Sequence, residues 1–228
     1  MITVSKEDYL KAILEAEGEG ENVISATLAH WLKVSPPAVT MALRRLKKDS
    51  LVQVRADGRV QLTASGREIA KRTVNRHHLI ERMLSEVFGM EWYKVHDEAE
   101  RLEHAVSADF EAKLAKKLGR MGACPHGNEA TPENPSARRK RGMKLLSEAD
   151  PGSSYTVVSV YERDRKLLEF LEERGMRPGA GLELLARNYD QTLTIKTAVG
   201  SVSVGQPVAE RVWVAAKSPK GRLRSKPA

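Results

Sequence analysis

Residues 35–63 constrain the fold more than any other stretch of this 228-residue chain. Ser35 is followed by the pair Pro36-Pro37 and then by AVTMALRRLKK. A helix starting there has a capping side chain and a first turn whose φ angles are already fixed. Val39, Leu43 and Leu46 recur at helical spacing and predict its buried stripe. Thr40, Met41, Arg44, Arg45, Lys47 and Lys48 fall on the opposite face. The following LVQVRADGRVQLT (51–63) alternates about Asp57-Gly58, a strong short hairpin signal. Two shorter helical patterns precede it. One spans residues 4–17 with Val4, Tyr9, Leu10, Ile13 and Leu14 and ends at Gly18; the other is ISATLAHWL (24–32). After the hairpin, Ser65-Gly-Arg-Glu68 has capping-box spacing and predicts the start of another helix.

Helix, helix, proline-started basic helix and hairpin, in that order, is the arrangement of a winged helix-turn-helix. In that motif the second helix of the pair enters the major groove of duplex DNA and the hairpin touches backbone phosphates. A basic helix alone is often only a solvated face; the ordered combination is far less common. Charge agrees with a polyanionic partner, since Lys+Arg outnumber Asp+Glu by 38 to 30, a formal +8. Part of that excess lies in KSPKGRLRSKPA (217–228), which has little to bury and is expected to be a disordered basic tail. One cysteine excludes an intramolecular disulfide. The N-terminus has no apolar signal core, and no run is long enough to span a bilayer, so a cytoplasmic, soluble protein without a membrane partner is expected.

From Glu68 to Leu118 the pattern is helical, with a long helix ending near Gly89, a second beginning near Val95, and Ser107 placed to cap a third, ADFEAKLAKKLG. Residues 119–142 turn to glycine, proline and polar side chains and read as loop and linker. Beyond them 154–162, 182–188, 193–197, 202–204 and 211–215 look like strands, with a helix at 164–175 and a turn at Arg177-Pro178-Gly179. A small five-stranded barrel is the natural reading.

Within the helical region, HDEAERLEHAVS places His96, Glu100, Glu103 and His104 at i, i+4, i+7 and i+8, all inside about a quarter of a helix circumference. The preceding helix carries His77 and Glu81, also at i and i+4. His78 competes with His77 for that role, and Glu81 could simply pair with an arginine at helical spacing. Taken singly, each residue reads as structural. Together, six aligned imidazoles and carboxylates are hard to assign to a solvated face, because Leu102, Ala105 and Val106 mark the apolar side. An N/O donor set without a plausible thiolate suits Mn²⁺ or Fe²⁺, with zinc and cobalt able to intrude. Catalysis has no such support. The Glu-x-x-His pairs of di-iron oxidases, the His-Glu-x-x-His of zinc proteases, a phosphate loop and a nucleophile elbow are all absent, so no enzyme and no small-molecule substrate is expected.

The winged helix, followed by RHHLIERMLSEVFGM and KVHDEAERLEH, resembles the diphtheria toxin repressor family of metal-dependent transcription regulators, which includes the manganese transport regulators. The run LLEFLEERGMRPGAGLEL resembles the SH3-like, ferrous-iron-transport-A type domain of its longer members. The resemblance implies a mainly α chain with small β elements. A winged helix-turn-helix would occupy residues 1–72, a helical dimerisation and metal-binding domain with its linker 73–142, an SH3-like β-barrel 150–216 and the tail 217–228. It implies two metal sites per chain, with Mn²⁺ or Fe²⁺ as cofactor. The primary one would use Asp8, Glu100, Glu103 and His104; the ancillary one His77, Glu81, His96 and Glu162, with Asp164 as the alternative donor. Asp8 also has a plain reading, as part of a capping box beginning at Ser5.

Iron-type members have methionine and cysteine where this chain has Asp8 and Glu100, and the harder oxygens favour manganese. Lys11 stands where some manganese regulators carry glutamate, and an ammonium there is expected to oppose a two-metal cluster. Arg165 falls near the second barrel ligand and cannot coordinate. On the DNA side the matching positions are Ser35, Pro37, Thr40, Met41, Arg45 and Lys48, to which Arg44 on the same face and Arg59 in the hairpin are added. Met41 replaces a polar residue, which shifts weight to thymine methyl contacts, phosphates and DNA shape. Cys124-Pro-His126-Gly is read as a structural loop rather than as ligands. The function implied is a homodimeric manganese- or iron-dependent repressor of metal-uptake genes acting on a palindromic double-stranded operator. The alternatives are an iron-specific regulator of the same family and, in another class, a helical metal-buffering or redox protein.

Overall fold

In the computed structural model, which describes residues 4–119, 122–129 and 131–217, the first helix α1 (Val4–Gly18) buries Tyr9, Leu10, Ala12, Ile13, Leu14 and Ala16. Asp8 and Lys11 lie one turn apart along it. Helix α2 (Ser25–Leu32) ends at Lys33 in the left-handed region (φ 54°), and α3 (Pro36–Lys48) starts within the next few residues, which is the tight turn of a helix-turn-helix. Val39, Leu43 and Leu46 of α3 are buried as their spacing predicts. Ser35 occupies the N-cap position without a side-chain cap bond, leaving the two prolines to define the first turn. Strands β1 (Val52–Val54) and β2 (Val60–Leu62) pair antiparallel around a turn in which Gly58 has φ 81° and donates to the Arg55 carbonyl at 3.0 Å.

The next helix, α4 (Ala64–Arg82), is capped by Thr63 rather than by Ser65, its Oγ1 accepting from the Gly66 amide at 3.1 Å. The same hydroxyl donates toward the carbonyls of Ser50 and Leu51, so the base of the hairpin decides where α4 begins. One π-helical turn (Met83–Val87) extends α4 toward Gly89 (φ 65°). Helix α5 (Val95–Leu102) packs on α4 through Ile80, Leu84, Val95 and Ala99, flanked by Met83, Met90, Leu102 and Val106. Ser107 caps α6 (Ala108–Leu118), accepting from the Phe110 amide at 3.3 Å. The region read as pure linker contains a short helix, α7 (Pro135–Lys140).

The chain divides into two units, Met1–Arg138 and Arg139–Ala228. The second unit is a six-stranded antiparallel sheet rather than a five-stranded one. Its strands are β3 (Met143–Leu145), β4 (Ser153–Val160), β5 (Gly181–Arg187), β6 (Leu193–Thr197), β7 (Gly200–Val204) and β8 (Val212–Ala216), in the order β3-β8-β4-β5-β6-β7. The unexpected member is β3, three residues pairing with β8 at the sheet edge. Helix α8 (Arg165–Glu173) buries Leu167, Leu168 and Leu171, and α9 (Gln206–Ala209) leads into β8. This architecture is the mainly α fold with an N-terminal winged helix-turn-helix and a C-terminal SH3-like sheet. The expected tail lies outside the described residues from position 218 onward.

Candidate metal centre and nucleic-acid interface

Apolar packing of α5 on α4 carries the polar residues of the same helices into contact with one another and with α1. Three of the expected primary donors converge: Asp8, Glu103 and His104 offer ligand atoms that all lie within 4.8 Å of one another. His104 Nε2 is 2.7 Å from Asp8 Oδ1 and 3.3 Å from Glu103 Oε1, so Asp8 faces α5 instead of closing a capping box. Glu7, not singled out in the sequence, approaches His104 Nδ1 at 3.3 Å. Glu100 is turned elsewhere: its Oε1 accepts from Lys11 Nζ at 2.9 Å and lies 3.7 Å from His96 Nε2. Burial raises the pKa of Asp8; the neighbouring His104 opposes this, while Glu103 and Glu100 add to it. A cation bound beside such a partly buried acid would favour its charged form.

Deeper in, His77 Nε2 is 3.1 Å from Glu81 Oε1 and 3.1 Å from His96 Nδ1, while His96 Nδ1 is 3.2 Å from the same Glu81 oxygen. Burial would raise the pKa of Glu81, but His77 and His126 beside it outweigh this and hold it well below the usual carboxylate range. Burial and Lys11 work against a charged His77, yet Glu81 and the hydrogen bond to Glu103 push its pKa up to about 9. His77 Nδ1 reaches Glu103 Oε2 at 2.7 Å, so one imidazole touches both groups.

His126 and Cys124 also reach this inner group. His126 Nε2 lies 2.9 Å from the Trp92 carbonyl, Nδ1 is 3.4 Å from Glu81 Oε1, and Cys124 Sγ is 3.7 Å from that Nδ1. His78, Glu81 and Cys124 likewise offer atoms within 4.8 Å of one another. The loop is closed by a turn in which Gly127 donates to the Cys124 carbonyl at 2.8 Å and Cys124 to that of Asn128 at 2.9 Å. Its Cys-x-His spacing was the available signal, and it sits far from the helices it meets.

The inner donors fit a cation in one respect. Glu81 Oε2 is buried and has no hydrogen-bond partner among the described residues, which leaves one lone-pair face for an ion. Glu162 follows β4 in the second unit. Asp164 is occupied as the N-cap of α8, its Oδ1 accepting from the Leu167 amide at 3.2 Å.

Ser35, Pro37, Thr40, Met41, Arg44, Arg45 and Lys48 all lie on the exposed side of α3, and Arg59 is exposed in the hairpin. Among the described residues, Arg44, Arg45, Lys47 and Lys48 form no ion pair, so this face presents uncompensated positive charge. Thr40 Oγ1 is 3.1 Å from the Pro36 carbonyl, and Met41 is 49% exposed, an apolar contact in the middle of the cationic face. Arg59 shares its charge with Asp57 at 3.4 Å.

Comparison with known proteins agrees with this division of labour. Residues 1–60 match the N-terminal DNA-binding domain of iron-dependent repressors, 63–132 their metal-binding and dimerisation domain, and 144–216 the FeoA domain. The diphtheria toxin repressor of Corynebacterium jeikeium is 32% identical over 79% of this chain and 84% of its own length. The iron-dependent repressor IdeR of Mycobacterium leprae is 33% identical over 91% and 95% respectively. A manganese-dependent transcriptional repressor solved with manganese superposes with a TM-score of 0.81 at 32% identity, covering 93% of this chain and all of that one. These relatives are named as repressors, and no long apolar helix among the described residues could cross a membrane. The chain therefore belongs to the diphtheria toxin repressor family of metal-dependent, DNA-binding transcription regulators.

Proposed function

We propose that the protein is a cytoplasmic, homodimeric repressor of metal-uptake genes that binds a palindromic operator when Mn²⁺ or Fe²⁺ is bound. The observation that carries this reading is the convergence of Asp8, Glu103 and His104 from the DNA-binding and helical regions onto one point. A divalent cation held there would be shared by these three side chains, with Glu100 near enough in the chain to join through a change of rotamer. Asp8 and Glu7 attach α1 to His104; α1 packs on α2, α3 and α4, so the orientation of α3 follows the attachment. In a dimer this fixes the separation of two recognition helices near one DNA turn, about 34 Å. Exposed Val87 and Phe88, in the segment matching the dimerisation domain of relatives, support self-association.

His77, Glu81 and His96 form the second site in this reading, with Cys124 and His126 as further donors. The oxygen-rich primary set supports Mn²⁺; the buried thiol near Glu81 favours a softer ion such as Fe²⁺ at the inner site. Asp8→Ala decides the primary assignment. The variant should keep its fold and dimer but lose metal-dependent operator binding in an anaerobic titration with Mn²⁺, Fe²⁺ or Zn²⁺. Normal binding by that variant sinks the assignment, and equal operator affinity of the unmodified protein with and without metal sinks the whole reading.

A further inference from the structure

Lys11 occupies a position that neither ion site explains. Its side chain is 4% exposed, and Nζ donates to Glu103 Oε2 at 2.8 Å and to Glu100 Oε1 at 2.9 Å while lying 3.0 Å from His77 Nδ1. Two carboxylate oxygens and an imidazole nitrogen gathered from different helices around one buried point form the donor set of a divalent metal. Here the centre of that set is a nitrogen of the chain itself. The arrangement also divides Glu103: Oε2 is held by Lys11 and His77, and only Oε1 is turned toward His104.

We propose that Lys11 is a resident cation. It fills an ion position between Glu100, Glu103 and His77, limits the Asp8–Glu103–His104 centre to one ion, and holds α1 on α4 and α5 in the metal-free chain. This rests on the reading of that centre as a metal site. The chemistry is direct. An ammonium supplies one positive charge and hydrogen bonds of about 2.8–3.0 Å. A divalent ion in its place would draw the same donors to about 2.0–2.2 Å and supply twice the charge. While the ammonium is present, a second ion there would meet a fixed like charge and find Glu103 Oε2 already engaged. A lysine that served only to fill space would leave the ion count unchanged on replacement.

The test compares the full chain with Lys11→Met, which removes the charge at similar length, and Lys11→Glu, which adds a donor. Bound Mn²⁺ is counted by equilibrium dialysis and its environment read by electron paramagnetic resonance. Each variant is expected to bind one more Mn²⁺ per chain than the unmodified protein. The new ion shares Glu103 with its neighbour, so the six-line signal of an isolated ion should give way to a broad exchange-coupled one. Both metal-free variants should melt lower, and Mn²⁺ should raise their midpoints more than it raises that of the unmodified chain. An unchanged ion count in folded Lys11→Met overturns the proposal, as does a coupled pair in the unmodified chain. Failure of both variants to fold even with saturating Mn²⁺ overturns it too, since a divalent ion then cannot replace the ammonium. If the unmodified chain binds no Mn²⁺, the reading of the primary centre fails instead, and the gain in the variants is counted from zero.

Discussion

At Gly66 a single hydrogen atom decides whether the hairpin can meet α4. A Cβ built there would lie 2.0 Å from the Leu51 carbonyl oxygen, the same oxygen that receives the Thr63 amide at 3.0 Å. Backbone on backbone cannot yield as a side-chain tip would. Gly66→Ala is therefore expected to destabilise the protein by about 1–3 kcal/mol, read as a lower thermal midpoint; an unaltered midpoint would show that the hairpin base moves freely. Glu81 is the other residue whose surroundings leave little choice. It is buried among His77, His96 and His126, its Oε2 has no hydrogen-bond partner among the described residues, and Gln in its place keeps the shape but not the charge of the proposed ligand. Glu81→Gln should weaken the inner site by at least about tenfold and leave the Asp8 site occupied. Calorimetry would then record one strong binding event in place of two, and two undiminished events would remove Glu81 from the ligand set.

Among the elements, α3 is the one proposed to read DNA. Its exposed side has Arg44, Arg45, Lys47 and Lys48 without ion-pair partners among the described residues, so any phosphate they meet gains unshared charge. Arg45→Ala should cost about 1–3 kcal/mol of operator affinity if Arg45 contacts a base. If it contacts a phosphate, the salt slope should instead fall by about one and all sequences should weaken alike. Titrations at two or more salt concentrations separate these outcomes, and no effect in either takes Arg45 out of the interface. The element itself was legible because its information is local: a proline pair to start, apolar positions at helical spacing, then Asp57-Gly58 to turn the hairpin. The same local logic made the i, i+4 histidine and carboxylate faces of α4 and α5 legible. What was missed depends on partners remote in sequence. Thr63 caps α4 because the hairpin bonds its hydroxyl, a fact invisible in Ser65-Gly-Arg-Glu68. Strand β3 is three residues long and exists only through its pairing with β8. Cys124 and His126 arrive at Glu81 through a turn outside either ligand helix. Glu100 shares the predicted face with Glu103, but the buried Lys11 draws its Oε1 away from Asp8.

For the molecule as a whole, the proposed function makes ion binding and DNA binding two loads on one joint, and thermodynamics then ties them together. If Mn²⁺ tightens operator binding by some factor, the operator must tighten Mn²⁺ binding by the same factor. Asp8, proposed as the meeting point, is 2.7 Å from His104 and lies on α1, which packs against α2 and α3. Metal affinity measured with and without operator, and operator affinity measured with and without metal, should thus close a thermodynamic cycle, and chelation should release the DNA. The tail offers a control that separates this coupling from bulk charge. Residues 218–228 hold four basic side chains and no acidic one, half of the formal +8. Their removal should weaken binding to every duplex and flatten its salt dependence, because that contribution comes from counterion release. It should leave the factor linking metal to operator untouched, because no tail residue belongs to the proposed ligand set. If the truncated chain instead lost its metal response while still binding DNA, the coupling would reside in the tail's charge and not in the attachment of α1 to His104.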